Sequence, residues 1–137
     1  MGEGSAINGG IGAAAAVRAG VLARLRAIGG VNGVWEGAGV SAAVPFVLLG
    51  DVVASDWSTK DAMGRELRIA VTVRDRGDSP ARAGVLATAV EAAVAGLPRE
   101  LDGWRVASVV LLRSSVVASG KGQWAAMVDH RVRVLAG

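Results

Sequence analysis

The segment 65–75, RELRIAVTVRD, alternates between two kinds of side chain, and this alternation constrains the fold of the whole chain. One side carries Leu67, Ile69, Val71 and Val73. The other side carries Glu66, Arg68, Thr72 and Arg74. A period of two with one apolar face is typical of an antiparallel strand that covers a core with one face and meets water or a partner with the other. We therefore expect a sheet built around this strand.

Three further long strands are predicted beside it, over residues 45–54, 105–118 and 123–135. A fourth, very short one is predicted at Val34-Trp35-Glu36, between glycines. Residues 109–112 are all apolar, so the strand 105–118 has apolar side chains on both faces. That pattern indicates a central strand, because both faces of such a strand are buried.

Two helices are predicted, over residues 13–28 and 80–95, because apolar residues recur there at helical spacing. Ser79 and Pro80 suit the N-cap and first helical position of the second helix. The predicted fold class is α+β, a mainly antiparallel sheet of four to five strands with both helices packed on one face. The residues expected in the core are Leu67, Ile69, Val71, Val73, Leu86, Val90, Val94, Val110, Val128 and Val132.

Length and composition bound the function classes. At 137 residues the chain is expected to be one domain over residues 13–137, after a flexible glycine-rich segment at 1–12. The net charge of +3 is too small to indicate nucleic-acid binding. The chain has no cysteine, and its most apolar run is far shorter than the roughly 20 residues of a membrane-spanning helix. We expect no membrane association and no secretory signal.

The sequence contains no recognisable catalytic, cofactor or metal site. Residues 10–15 match a dinucleotide-binding pattern, but no strand precedes them, as that site requires. His130 is the single histidine, and its neighbour Asp129 points to the opposite face of the strand. A hydrogen-bonded or interfacial histidine is therefore expected there. Asp56 and Asp61 share one loop without further ligands at a recognised spacing, so they are expected to make turn hydrogen bonds.

The loop that leads into 65–75 is the candidate interaction site. It contains Asp56, Trp57, Ser58, Thr59, Lys60 and Asp61. A tryptophan in such a polar loop either folds back over the sheet or anchors a partner, and the sequence leaves both alternatives open.

Several short motifs resemble those of the small tail-completion proteins, the tail terminators of long-tailed phages and phage-derived gene transfer agents. They are Pro45-Phe46-Val47, Asp56-Trp57-Ser58-Thr59-Lys60, Gly64-Arg65-Glu66 and Leu101-Asp102-Gly103. The resemblance runs from about Val44 to Leu135, and the loop motif is its most specific part. Two departures are Arg74, where an aromatic residue is common, and Phe46 in place of a tyrosine.

The resemblance implies a structural role without cofactor or catalysis. Such a protein is expected to form a ring with copies of itself, six in number, at the head–tail junction of the particle. The ring would cap the tail tube, join it to the head-side connector or adaptor protein, and let DNA pass without specific binding. Assembly is expected in the host cytoplasm. The alternative from another class is a small cytoplasmic ligand-binding or enzymatic α+β domain.

Free passage of DNA requires that arginines do not line the channel as free charges. We therefore expect most of them, including Arg131 and Arg133, to lie away from the channel or to pair with carboxylates such as Glu66 and Asp129.

Overall fold

The computed structural model describes residues 12–37 and 41–137. In these ranges the elements follow in the order α1 (Ala13–Arg26), β1 (Val34–Glu36), β2 (Phe46–Asp56), β3 (Gly64–Arg76), α2 (Ala81–Ala95), β4 (Glu100–Leu101), β5 (Trp104–Gly120) and β6 (Gln123–Ala136). The predictions for residues 1–11, which are most of the flexible segment and the first two residues of the dinucleotide-like pattern, lie outside the described residues.

The strand predicted from the alternating segment is β3, and it lies in the middle of the sheet. Its buried side chains include Leu67, Ile69, Val71 and Val73, as the period of two predicts. It pairs antiparallel with β2 on one side and with β6 on the other. The strand order is β1-β2-β3-β6-β5-β4, and β1 runs parallel to β2, so this is a curled, mixed sheet of six strands. The prediction of four to five mainly antiparallel strands is thus correct in class and short in number.

Both helices pack on one face of the sheet, as predicted. Val17, Val21 and Leu25 of α1 are fully buried, and α2 contributes Val90 and Val94 to the same core. The helix bounds differ slightly from the predicted ranges 13–28 and 80–95. α1 ends earlier, at Arg26, and α2 begins later, at Ala81. Pro80, not Ser79, is the residue that precedes α2. The Ser79 hydroxyl still accepts a hydrogen bond from the backbone N–H of Ala81, at 3.1 Å.

One predicted core residue, Val110, is exposed, and the predicted position of its strand is wrong. β5 is not central, because among the described strands its only neighbour besides β6 is the two-residue β4. The side chain of Val110 lies on the face that no helix covers and is 36% exposed. β5 therefore has more apolar side chains than a single copy of the chain buries.

An ion pair between a buried carboxylate and an exposed arginine joins the end of β3 to the start of α2. Asp75 is 4% exposed, and Arg82 donates one hydrogen bond from Nε to its Oδ2 at 2.9 Å and another from Nη2 to its Oδ1 at 2.6 Å. These hydrogen bonds hold the pKa of Asp75 below its ordinary value of 3.8, although burial acts in the opposite direction. The paired carboxylate thus stabilises the folded state wherever it is ionised.

This pair should give a defined acid dependence of stability. Since the folded-state pKa of Asp75 lies below the unfolded value, its contribution is complete above about pH 4 and is lost as the pH falls through the folded-state pKa. Arg82→Gln should lower the melting temperature at pH 7, and the deficit should shrink in acid. Thermal unfolding by circular dichroism from pH 7 to pH 2.5 measures it, with Arg99→Gln as the control. A deficit that is equal at every pH would contradict the assignment.

Candidate functional site

The candidate loop, residues 57–63, joins β2 to β3 as a closed hairpin tip. The N–H of Trp57 donates to the carbonyl oxygen of Gly64 at 3.0 Å, and the N–H of Thr59 donates to that of Ala62 at 2.8 Å. The hydroxyl of Thr59 also accepts hydrogen bonds from the N–H groups of Asp61 and Ala62, at 3.3 and 3.1 Å. Such turns are typical of short hydroxyl side chains. The loop is therefore held in one shape by its own polar groups.

A second set of hydrogen bonds closes the base of the loop. The Ser58 hydroxyl lies 2.6 Å from Oδ1 of Asp56 and accepts a bond of 3.1 Å from the N–H of Gly64. Nη1 of Arg65 donates to the same Asp56 oxygen at 3.2 Å. These contacts agree with the prediction that Asp56 makes turn hydrogen bonds, as they hold the ends of β2 and β3 together.

Trp57 folds back over the sheet instead of pointing away from it. The guanidinium carbon of Arg133 lies 5.1 Å from the centre of its ring, within the range of a cation–π contact. Nε of Arg133 in turn donates to Oε1 of Glu66 at 2.9 Å. Arg133 and Glu66 face each other on neighbouring strands, on the face of the sheet opposite the helices, which we call the open face. The ring remains partly accessible, so folding back does not prevent contact with a partner.

The loop brings all six predicted site residues together at one end of the sheet. Trp57 is half-buried, and the other five, Asp56, Ser58, Thr59, Lys60 and Asp61, are exposed. Sequence reasoning missed the part that Arg65, Glu66 and Arg133 take in this site. Arg65 and Glu66 could have been found, because they directly follow the loop. Arg133 lies 67 residues from its partner Glu66, and only the register of β3 with β6 brings the two together.

The open face carries the remaining charges that bear on partner binding. The predicted pairing of Arg133 with Glu66 is present, but Asp129 pairs with Arg113, at 3.0 Å, and not with Arg131. Arg131 instead lies opposite Arg68 across the strand pair, and its buried Nε has no hydrogen-bond partner among the described residues. These two arginines therefore place two positive charges side by side on the open face, where Asp51 and Asp129 line a groove with Arg68.

His130 lies on the helix side of β6 and is 2% exposed. Its burial lowers the pKa below the ordinary 6.5, while the nearby carboxylates of Glu91 and Asp129 act in the opposite direction. The sequence predicts a hydrogen-bonded or interfacial histidine. Within the described ranges Nδ1 has no hydrogen-bond partner, so the first alternative is not met at this atom, and the second stays a prediction. In residues 12–37 and 41–137 there is no group of three or more metal-ligating side chains.

None of the described helices is long and apolar enough to span a membrane. No curated protein matches the chain. Among solved structures, a chain from the virion of a native gene transfer agent particle is similar in fold, with a TM-score of 0.75. The two chains are 23% identical, and the match covers 88% of this chain and 96% of that one.

The family model of the tail completion protein gp17 matches residues 12–135, which include the sheet, both helices and the candidate loop. The class defined by this match is a structural protein of a virion tail, not an enzyme. The chain belongs to the tail completion protein gp17 family. The resemblance found in the sequence is thus confirmed, and the alternative of a small enzyme is set aside.

Proposed function

We propose that the protein forms a six-membered ring that caps the tail tube of a phage-like particle or gene transfer agent. The ring would sit at the head–tail junction and present one face to the tube and the other to the head-side connector or adaptor protein. The observation that carries this proposal is the family match over residues 12–135. The shared fold with a chain of a gene transfer agent particle supports it further.

The test combines the purified chain with the tail tube protein of the same particle. Sedimentation and negative-stain electron microscopy of the chain alone should show rings of six copies. Added during polymerisation of the tube, the chain should bind to tube ends and stop growth in proportion to its concentration. Tubes that grow to the same lengths with no chain at their ends would overturn the capping role.

The loop is the surface we assign to contact with a neighbouring subunit or the tube. Trp57→Ala removes a large ring that is folded back on Arg133 yet still accessible. We expect at least a tenfold loss in ring or tube binding, since accessible tryptophans often dominate interface energetics. Binding to tube ends measures the effect, alongside melting temperature. Val85→Ala, on the exposed side of α2, is the control. Normal assembly per folded subunit would make Trp57 a lid of the sheet.

DNA should pass through the ring without being held. Five arginines are paired with carboxylates in the described structure: Arg18, Arg65, Arg82, Arg113 and Arg133. Each free phosphate contact would add affinity that falls steeply with salt. Fluorescence anisotropy of duplex DNA, titrated with the ring at several salt concentrations, should show no submicromolar binding at physiological salt. Tight binding with a steep salt slope would mean that Arg68 and Arg131 belong to a DNA-binding surface.

A further inference from the structure

The outer edge of β5 is bare along most of its length. β4 pairs only with Trp104 and Arg105, whereas β5 continues to Gly120. Among the described residues no strand covers the rest, which we call the β5 edge, residues 106–120. Uncovered N–H and C=O groups of an edge strand readily bind another strand, and proteins usually block them with charges or proline. The β5 edge has no proline, and Arg113 is its one charged residue.

Bulges interrupt the β5 edge but leave a usable length. They lie between Val106 and Ser108, between Leu111 and Arg113, and between Ala118 and Gly120. The run from Arg113 to Ala118 pairs with β6 without a break. Six residues are the length of an ordinary strand in a globular protein, so this run is long enough to receive one.

Exposed apolar side chains project from both faces of the β5 edge. Leu111 and Val116 lie on the helix side and are 44% and 36% exposed, and Val117 lies on the open face and is 42% exposed. A partner that docked on one face would cover only half of them. A partner that added a strand would extend both faces at once and bring its own side chains beside each of these residues. The exposure pattern therefore favours strand addition.

The helix side of the same edge contains an unfilled groove. It measures about 360 Å³ and is lined by Glu91 and Ala92 of α2, Val109 and Leu111 of β5, and His130 of β6. Nδ1 of the buried His130 has no hydrogen-bond partner within the described ranges. Since this atom is itself buried, the groove is defined by its apolar wall of Val109 and Leu111, which a strand added at the β5 edge would cover.

The opposite end of the sheet offers a strand that fits. β1 covers β2 only at residues 47–49, which leaves residues 51–56 uncovered on that side by any described residue; we call them the β2 edge. Val53 on the β2 edge is 60% exposed, and Trp35 on the neighbouring β1 is 46% exposed. The sheet thus has an uncovered apolar edge at each end.

The charges of the two edges are complementary. Residues 51–56 carry Asp51 and Asp56, of which Asp56 also pairs with Arg65 of its own chain, and no basic residue. The β5 edge carries one charged residue, Arg113, which also pairs with Asp129 of its own chain, and no acidic residue. Opposite charges favour the pairing of one edge with the other, whereas two copies of the same edge would bring like charges together.

We propose that a second copy of this chain adds its β2 edge as a strand to the β5 edge. The proposal rests on the ring proposed above, because a closed ring needs two different, complementary surfaces on each copy. The sheet then continues from subunit to subunit, and side chains of the neighbour fill the groove beside His130.

Charged substitutions at exposed positions test this in the full chain. Leu111→Lys and Val117→Lys on the β5 edge, and Val53→Lys on the β2 edge, should each leave the monomer folded and raise the dissociation constant of the ring at least about a hundredfold, since the interface would bury an unpaired charge. Val85→Lys is the matched control, because Val85 is an apolar residue on α2 that is 70% exposed and lies on neither edge. Sedimentation and native mass spectrometry measure assembly, and circular dichroism checks folding.

Mixing the variants shows which edge of the second copy pairs with the β5 edge. Val117→Lys retains an intact β2 edge, and Val53→Lys retains an intact β5 edge, so an equimolar mixture should form one-to-one dimers that grow no further. As the chain has no cysteine, Ser55→Cys and Ser115→Cys add a clean second readout. A bis-maleimide linker should join the two variants when mixed and neither when alone.

Two outcomes overturn the inference and leave the ring proposal intact. One is that the wild-type chain forms a ring and that Leu111→Lys and Val117→Lys each form the same ring. The other is dimerisation of Val53→Lys alone with cross-linking of Ser115→Cys to itself, which would mean that two β5 edges pair. A wild-type chain that stays monomeric even with the tail tube protein overturns the ring, and this inference with it.

Discussion

A chain carrying Val71→Asp is expected to be unfolded at every temperature. Val71 is 1% exposed in the middle of β3, between β2 and β6, and both of its strand partners, Leu49 and Val128, are fully buried. A carboxylate at this position would lie in the core without a cation. Burial of an unpaired charge costs several kcal/mol in real proteins, and whole domains are stable by only about 5–15 kcal/mol. The substitution therefore removes most or all of the stability.

The neighbouring substitution Thr72→Asp is the matched control. It places the same side chain in the same strand but on the open face, where Thr72 is half-buried and faces Met127 and Leu48. Its cost should be limited to the poor strand propensity of aspartate, about 1 kcal/mol. Far-ultraviolet circular dichroism and the soluble yield distinguish the two variants. If Val71→Asp melted at the same temperature as Thr72→Asp, the assignment of the inward face of β3 would be wrong.

Local patterns were enough to predict most of the fold. The alternation in β3 assigned its inward face correctly because a side-chain period of two survives any tertiary context that buries one face. The helical stripes predicted which residues of α1 and α2 enter the core for the same reason. Nine of the ten residues expected in the core are buried, and the exception is Val110.

The failure at Val110 has a physical cause. An apolar run such as 109–112 indicates that both faces of a strand are buried, but it does not indicate whether the same chain or another chain buries them. The sequence analysis predicted that elements of the same chain bury both faces of β5, whereas both faces are partly exposed in the structure. The two-residue β4 and the parallel pairing of β1 were beyond prediction, since so short a strand has no pattern and pairing direction depends on chain topology.

The site was predicted by position and not by geometry. The loop residues 56–61 could be selected because polar side chains cluster there around a tryptophan. The contact of Trp57 with Arg133 could not be predicted, because it depends on the register between β3 and β6. The sequence analysis identified Gly64 only as part of a family-like motif, and its close approach to the backbone of Trp57 depends on the folded loop.

Gly64→Ala is expected to destabilise the protein by about 2–3 kcal/mol and to open the loop. A Cβ atom at Gly64 would lie 2.5 Å from the carbonyl oxygen of Trp57, closer than any real contact allows. The obstacle is backbone that cannot rotate away, so the strands must separate there or the loop must rearrange. Overpacking of this kind costs about 1–3 kcal/mol, and the hydrogen bond from Trp57 N–H to Gly64 would be strained in addition.

Gly84→Ala is the control, and its effect should have the opposite sign. Gly84 lies inside α2, and a Cβ there would meet nothing within 4 Å. Alanine should therefore stabilise the helix by about 0.5–1 kcal/mol, through its higher helix propensity and a less flexible unfolded chain. Thermal unfolding of the two variants measures both effects.

Hydrogen exchange then locates the damage in Gly64→Ala. The amide of Trp57, which is bonded to Gly64 across the base of the loop, should exchange faster, while amides in the middle of β3 should report only the global loss of stability. If Gly64→Ala melted like the wild type and kept the slow exchange of the Trp57 amide, the close approach of the two backbones would be wrong. The absence of a Cβ atom at Gly64 would then not determine the conformation of the loop or the position of Trp57 over Arg133.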